Sequence, residues 1–264
     1  MYNGVASPAE CQDIQTFVRN RYFYGKLLDV QHFDAEQTYF KEKRWLLNRL
    51  VTGYGVICGL NVGFTNDHKQ LWVDPGVAID KAGREIVVPV RSKPIAIPDI
   101  TIVPETPAGD VVERGERSKD YCHNAATVYI CYHECPVDPE PVQADDCSDP
   151  APCANGSIRE RYTIAIRPGE APAIQTTCEI ADILQGNRLN YAALANYVTA
   201  GCASIECDPC IPLAEIMLPE AGQTASDQDI NITVRPIVYT NDLLFELLLG
   251  MTSNNQPRPR GGKS

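Results

Sequence analysis

At 264 residues the chain can bury a sizeable core as one large domain or two small ones, and no run in it approaches the roughly 18 apolar residues of a membrane span. Its net charge of −11 is unevenly placed: residues 1–53 carry seven Lys and Arg against six Asp and Glu, whereas 105–153 carry eleven acids against three bases. Such a surface repels phosphate backbones and anionic lipid, so neither nucleic acid nor direct membrane insertion is expected, and the short basic tail at Arg258, Arg260 and Lys263 is too small to reverse this.

The start, Met1 to Pro8, lacks a basic stretch followed by an apolar run, which predicts synthesis in the cytoplasm. Residues 1–18 read as a leader. The run Asn20 to Leu28 then carries three consecutive aromatics, Tyr22, Phe23 and Tyr24. An amphipathic helix follows around Glu36 to Leu50, with Asp34 as its cap, Phe33, Phe40 and Leu47 recurring at every seventh position, and Gly53 as its left-handed stop. Trp45 and Tyr39 lie off that stripe and predict a second apolar contact, within the chain or with a partner.

After Gly53 the period changes to two. Val56 to Phe64, Gln70 to Val73 and Arg84 to Val90 are short β-branched runs separated by the turn dipeptides Asn66-Asp67, Pro75-Gly76 and Ala82-Gly83. They predict a meander packed against the one helix, so residues 19–97 form a docking module. Residues 98–252 read as a cysteine-rich, β-containing region with strands at Ala126 to His133 and Ile158 to Ile166. Between these strands, Cys135 to Cys147 reads as a proline-rich acidic loop. A second helical pattern spans Thr177 to Ala200, interrupted at Gly186-Asn187. Ile211 to Leu218 and Ile230 to Tyr239 read as strands, and Asn241 to Leu249 as a C-terminal helix apolar nearly all round, to be buried in the fold or against a neighbouring subunit. Residues 253–264 form a flexible tail. The fold class expected is α+β: mainly antiparallel β-meanders packed with an N-proximal, a middle and a C-terminal helix.

Nine of the eleven cysteines lie between Cys122 and Cys210. Cys207-Asp-Pro-Cys210 has the spacing of a zinc knuckle, and Cys131 with Cys135, or Cys147 with Cys153, would complete four ligands. Structural zinc, disulfides and buried free thiols all remain open for this set, and no other cofactor is indicated. No nucleophile elbow, phosphate loop or His-Glu-x-x-His pattern occurs, and the paired carboxylates Asp145/Asp146 and Asp227/Asp229 lie in polar loops that would not raise a pKa. No enzymatic activity is expected.

The run Asn20 to Leu28, then Phe33, Glu36, Gln37, Tyr39, Lys43, Arg44, Asn48, Arg49, Gly53, Gly55, Val56, Cys58 to Leu60, Asp74 to Asp80 and Gly83 to Ile86, resembles an uncharacterised bacterial family associated with phage-tail-like contractile injection systems. The layout also resembles the particle-proximal ends of tail-fibre and baseplate proteins. The resemblance covers roughly residues 19–90, with weaker echoes at Arg159 to Tyr162, Cys210 to Ala214 and Asn241 to Phe245. It implies a structural, non-catalytic subunit at or near a baseplate, acting as a homo-oligomer docked to other particle proteins. Tyr22, Phe23, Tyr24, Trp45 and Phe245 are the interface candidates. The alternatives are a receptor- or glycan-binding module displayed on the exterior, which would use the acidic loops, and a hydrolase whose groups meet only in three dimensions.

Overall fold

The computed structural model describes residues 16–97, 125–141, 153–174, 180, 182–185, 188–202, 208–218 and 226–253. Its architecture is α+β with antiparallel sheets and helices near both ends of the described chain. Helix α1, Val30–Leu47, starts earlier than the sequence pattern indicates, because Asp29 caps it: its carboxylate accepts from the His32 amide at 3.2 Å, and the His32 ring answers at the Asp29 amide. Asp34 lies inside the helix. A π-helical turn, Asn48–Thr52, continues α1, and Gly53 at φ +82° ends it.

Six short strands follow: β1 Gly55–Gly59, β2 Val62–Phe64, β3 Gln70–Val73, β4 Gly76–Ile79, β5 Glu85–Val88 and β6 Ile95–Ala96. They do not form a single meander. They divide into two three-stranded sheets, β1-β4-β5 and β2-β3-β6, because the chain alternates between the two as it passes Leu60 and Asp74. Leu60, Leu71, Val73, Ile86 and Val88 are buried from both sheets.

The second half is organised by two long strands, β7 Ala125–Pro141 and β8 Cys153–Pro168, paired in one register from Ala126↔Pro168 to Pro141↔Cys153. A small hairpin of β9 Leu184–Gln185 and β10 Arg188–Leu189 precedes α2, Tyr191–Thr199, where one helix was expected from Thr177. The helix begins only where the Asn190 side chain caps the Ala193 amide. Strand β11, Ile211–Met217, pairs with β7 over Ala125 to Ile130, and β12, Ile230–Asn231, completes the order β12-β11-β7-β8. Beyond β12 the expected strand reduces to a bridge between Ile237 and Val56, and helix α3, Asn241–Ser253, closes the described chain.

One core serves both halves. Val56, Leu60, Leu71 and Ile86 from the first pack in the same buried cluster as Val128, Ile130, Ile211 and Leu213 from the second. Since β5 touches β7 and β8, and β1 touches β11, the small sheets lean on the large one.

Candidate interaction surface

Helix α1 has no buried residue, so its own burial does not hold it. Its C-terminal end is fixed by polar contacts. The Asn48 amide donates to the Gly83 carbonyl and to the Glu85 carboxylate, both at 2.9 Å, and Arg44 Nε pairs with the same Glu85 oxygen at 2.9 Å. Trp45 turns onto Tyr132 of β7, edge to face with centroids 6.3 Å apart, and Arg84 lies over the other aromatic of that pair with its guanidinium 4.7 Å from the Tyr132 ring. Trp45, expected as an interface residue, thus makes its second apolar contact inside the chain.

One turn earlier, Lys41 lies 4.9 Å from the Trp45 ring and pairs with Glu134 at 3.7 Å. Moving four residues back along the helix spans about 6 Å, and moving two residues out along the strand spans about the same. Helix and hairpin therefore run alongside each other in opposite directions over this stretch. Glu134 also accepts from the Tyr132 hydroxyl at 2.9 Å; burial first, and then this bond, push the Tyr132 phenol far above its usual value.

Past Ile130, β7 has no β11 partner, and β7 and β8 continue alone as a two-stranded ribbon. The expected loop over Cys135 to Pro141 is part of this ribbon. A ribbon of two strands is marginal in water unless something packs on it. Cys131, at its root, is disulfide-bonded to Cys210, with Cα atoms 4.5 Å apart. Each residue adjoins the Ile130↔Ile211 pair, so the bond joins the two strands where they part. Beside it Arg167 pairs with Asp208, donates to Cys210 Sγ at 3.6 Å and stacks 4.5 Å over Tyr129. Of the zinc-knuckle candidates, then, Cys131 and Cys210 are bonded to each other, Cys135 is a free thiol on the ribbon, and Cys207 lies outside the described residues. Among the described residues no group of three or more His, Cys, Asp and Glu side chains is placed to hold a metal. The Cys131–Cys210 pairing could not be read from spacing, since the partners are 79 residues apart.

The other interface candidates are exposed. Tyr22 is 53% exposed, Phe23 64% and Tyr24 fully so, and Leu27, Phe33, Phe40 and Val51 extend the same apolar surface along α1. On α3, Leu244, Phe245 and Leu247 are exposed, Phe245 by 60%. The helix expected to be buried in the fold or against a neighbouring subunit does not bury these side chains in its own chain. Burying a large apolar side chain is worth about 1.5–3 kcal/mol.

Between the segment 19–22 and α1 lies a cavity of about 670 Å³. Its walls combine Arg19, Asn20 and Arg21 with the rings of Tyr22, Tyr39 and Phe40, and its one acid, Glu36, accepts from the Tyr22 hydroxyl. That bond raises the Tyr22 phenol above its usual value. Sequence reasoning missed this cavity, whose only linear trace is the alternation of Arg19 and Arg21 just before the aromatic run. Among the described residues no helix is long and apolar enough to cross a membrane. No protein-family model matches the chain, and no curated protein matches it.

Proposed function

We propose that the protein is a structural, non-catalytic subunit of a phage-tail-like contractile injection particle, at or near its baseplate, working through homo-oligomerisation and docking to other particle proteins. The observation that carries this reading is the exposed apolar surface running from Tyr22 to Val51, on a helix that buries none of its residues in its own chain. A second apolar surface on α3 and a ribbon standing clear of its sheet add two further places for neighbours to pack. The resemblance of residues 19–90 to a family of injection-system proteins supplies the kind of assembly.

The test is sedimentation of the purified chain across the micromolar range, followed by locating a tagged copy in isolated particles by electron microscopy. A concentration-dependent oligomer and a tag buried in a ring at the particle base are expected. A chain monomeric at every concentration sinks the reading. A tag at an exposed tip would favour the second reading, a displayed receptor- or glycan-binding module, for which the freestanding ribbon is the supporting feature.

A further inference from the structure

We infer that copies of this chain join head to tail, the cavity between residues 19–22 and α1 of one copy receiving the acidic far end of the β7–β8 ribbon of the next. This rests on the structural-subunit reading and names the contact it needs.

The cavity is a site short of acceptors. Arg19 and Arg21 line it, and neither has an ion pair among the described residues. The Asn20 side-chain nitrogen is buried beside the Tyr22 hydroxyl, to which it can donate, and its oxygen is taken by Lys26. Glu36, its one carboxylate, accepts from the Tyr22 hydroxyl. Residues 16–53 hold seven Lys and Arg against four Asp and Glu, in a chain whose net charge is −11. The surface complementary to this block is therefore found on the rest of the same protein.

The ribbon supplies that surface. Asp138 and Glu140 lie near its far end, exposed and without an ion pair among the described residues. The stretch from Ile130, where β11 stops pairing, to Pro141 extends about 35 Å, long enough to reach a neighbour. The rings of Tyr22, Tyr39 and Phe40 would cover the apolar parts of an inserted strand while Arg19 and Arg21 pair with its carboxylates. Because the two surfaces differ, the contact is heterologous and generates a ring, or a filament if the rotation does not close.

Two double variants test it. One is Arg19→Glu with Arg21→Glu; the other is Asp138→Asn with Glu140→Gln, the asparagine chosen because Asp138 has φ +57° and Asn tolerates that region. Circular dichroism and thermal melting verify that each folds. Each alone should sediment as a monomer, its self-association weakened at least about tenfold. An equimolar mixture should form a one-to-one dimer, because one intact cavity and one intact ribbon remain. Either variant keeping the wild-type oligomer, or a mixture that stays monomeric, overturns the head-to-tail contact while leaving the structural-subunit reading intact. A wild-type chain that never associates overturns both.

Discussion

Gly83 lies directly against the main-chain carbonyl of Trp45: a Cβ on that glycine would fall inside 3.0 Å of the carbonyl, and its φ of +89° already suits glycine alone. The tight turn between β4 and β5 is thus the seat on which the end of α1 rests. Gly83→Ala should lower stability by about 1–3 kcal/mol and lift Trp45 from Tyr132. Denaturant unfolding followed by tryptophan fluorescence, in a Trp72→Phe background, would read both effects. An unchanged midpoint would show that α1 does not depend on this seat.

Asp80 is fully buried and accepts from the amides of Ala82 and Arg84 at 2.9 Å and from Arg84 Nε at 2.7 Å. Arg84 in turn stacks on Tyr132, so the turn, the ion pair and the ribbon share one residue. Arg84→Met leaves a buried carboxylate without its cation and should cost about 3–5 kcal/mol. Adding Asp80→Asn should recover part of that loss, since the double change no longer strands a charge. Comparing the three denaturation midpoints decides it.

Two carboxylates should respond to pH in opposite senses. Burial pushes Asp80 above the usual carboxylate range, with Arg84 pulling the other way without cancelling it; a raised native value means that its contribution is greatest below the unfolded pKa and declines as pH rises through the native one. For Asp208, partial burial also acts upward, but the bonds from Arg167 and the Cys210 amide outweigh it and hold the group low. Its contribution is present above the unfolded pKa and is lost as pH falls through the native value. In acid titrations of stability, Asp208→Asn should flatten the loss seen on acidification, and Asp80→Asn should not.

The Cys131–Cys210 bond closes a loop across 79 residues. Replacing both cysteines with serine should lower stability by about 2–4 kcal/mol, and hydrogen exchange should rise first at the root of the ribbon. Reductant on the wild type should reproduce the effect. No change in either measurement would mean that the strands are held there by pairing alone.

Phe23, Phe40 and Phe245 are exposed by 60% or more. Changing each to serine should shift monomer stability by no more than about 0.5 kcal/mol, yet weaken association. Paired melting and sedimentation measurements separate the two. A large stability loss would place these rings in the fold itself.

Much of the first half could be read from the sequence because β3 and β5 alternate in burial and its turns carry Pro75-Gly76 and Ala82-Gly83. Their division into two sheets could not, since period-two alternation marks which face is buried but not which strand is the neighbour. The start of α1 was misplaced because Asp34 offers the same cap chemistry as Asp29, and only the reach of His32 back to the Asp29 amide decides between them. Pro136, Pro139 and Pro141 signalled a loop, but where β7 has lost β11 it is an edge strand, and prolines are tolerated at edges. The apolar α3 reads as a helix to be buried in the fold or against a neighbouring subunit, because hydrophobicity reports that a surface needs covering without saying which molecule covers it. The cavity at Arg19 and Arg21 joins a segment to a helix face more than a dozen residues away, a proximity that no local pattern encodes.

Strand β8 closes its sheet on one side with sixteen residues. A rim that long is a template for endless addition of further strands. Arg159, Glu160 and Arg161 interrupt it with charge at the inner end of the exposed stretch. Protection of this rim against stray pairing therefore rests with three side chains that belong neither to the core nor to the cavity.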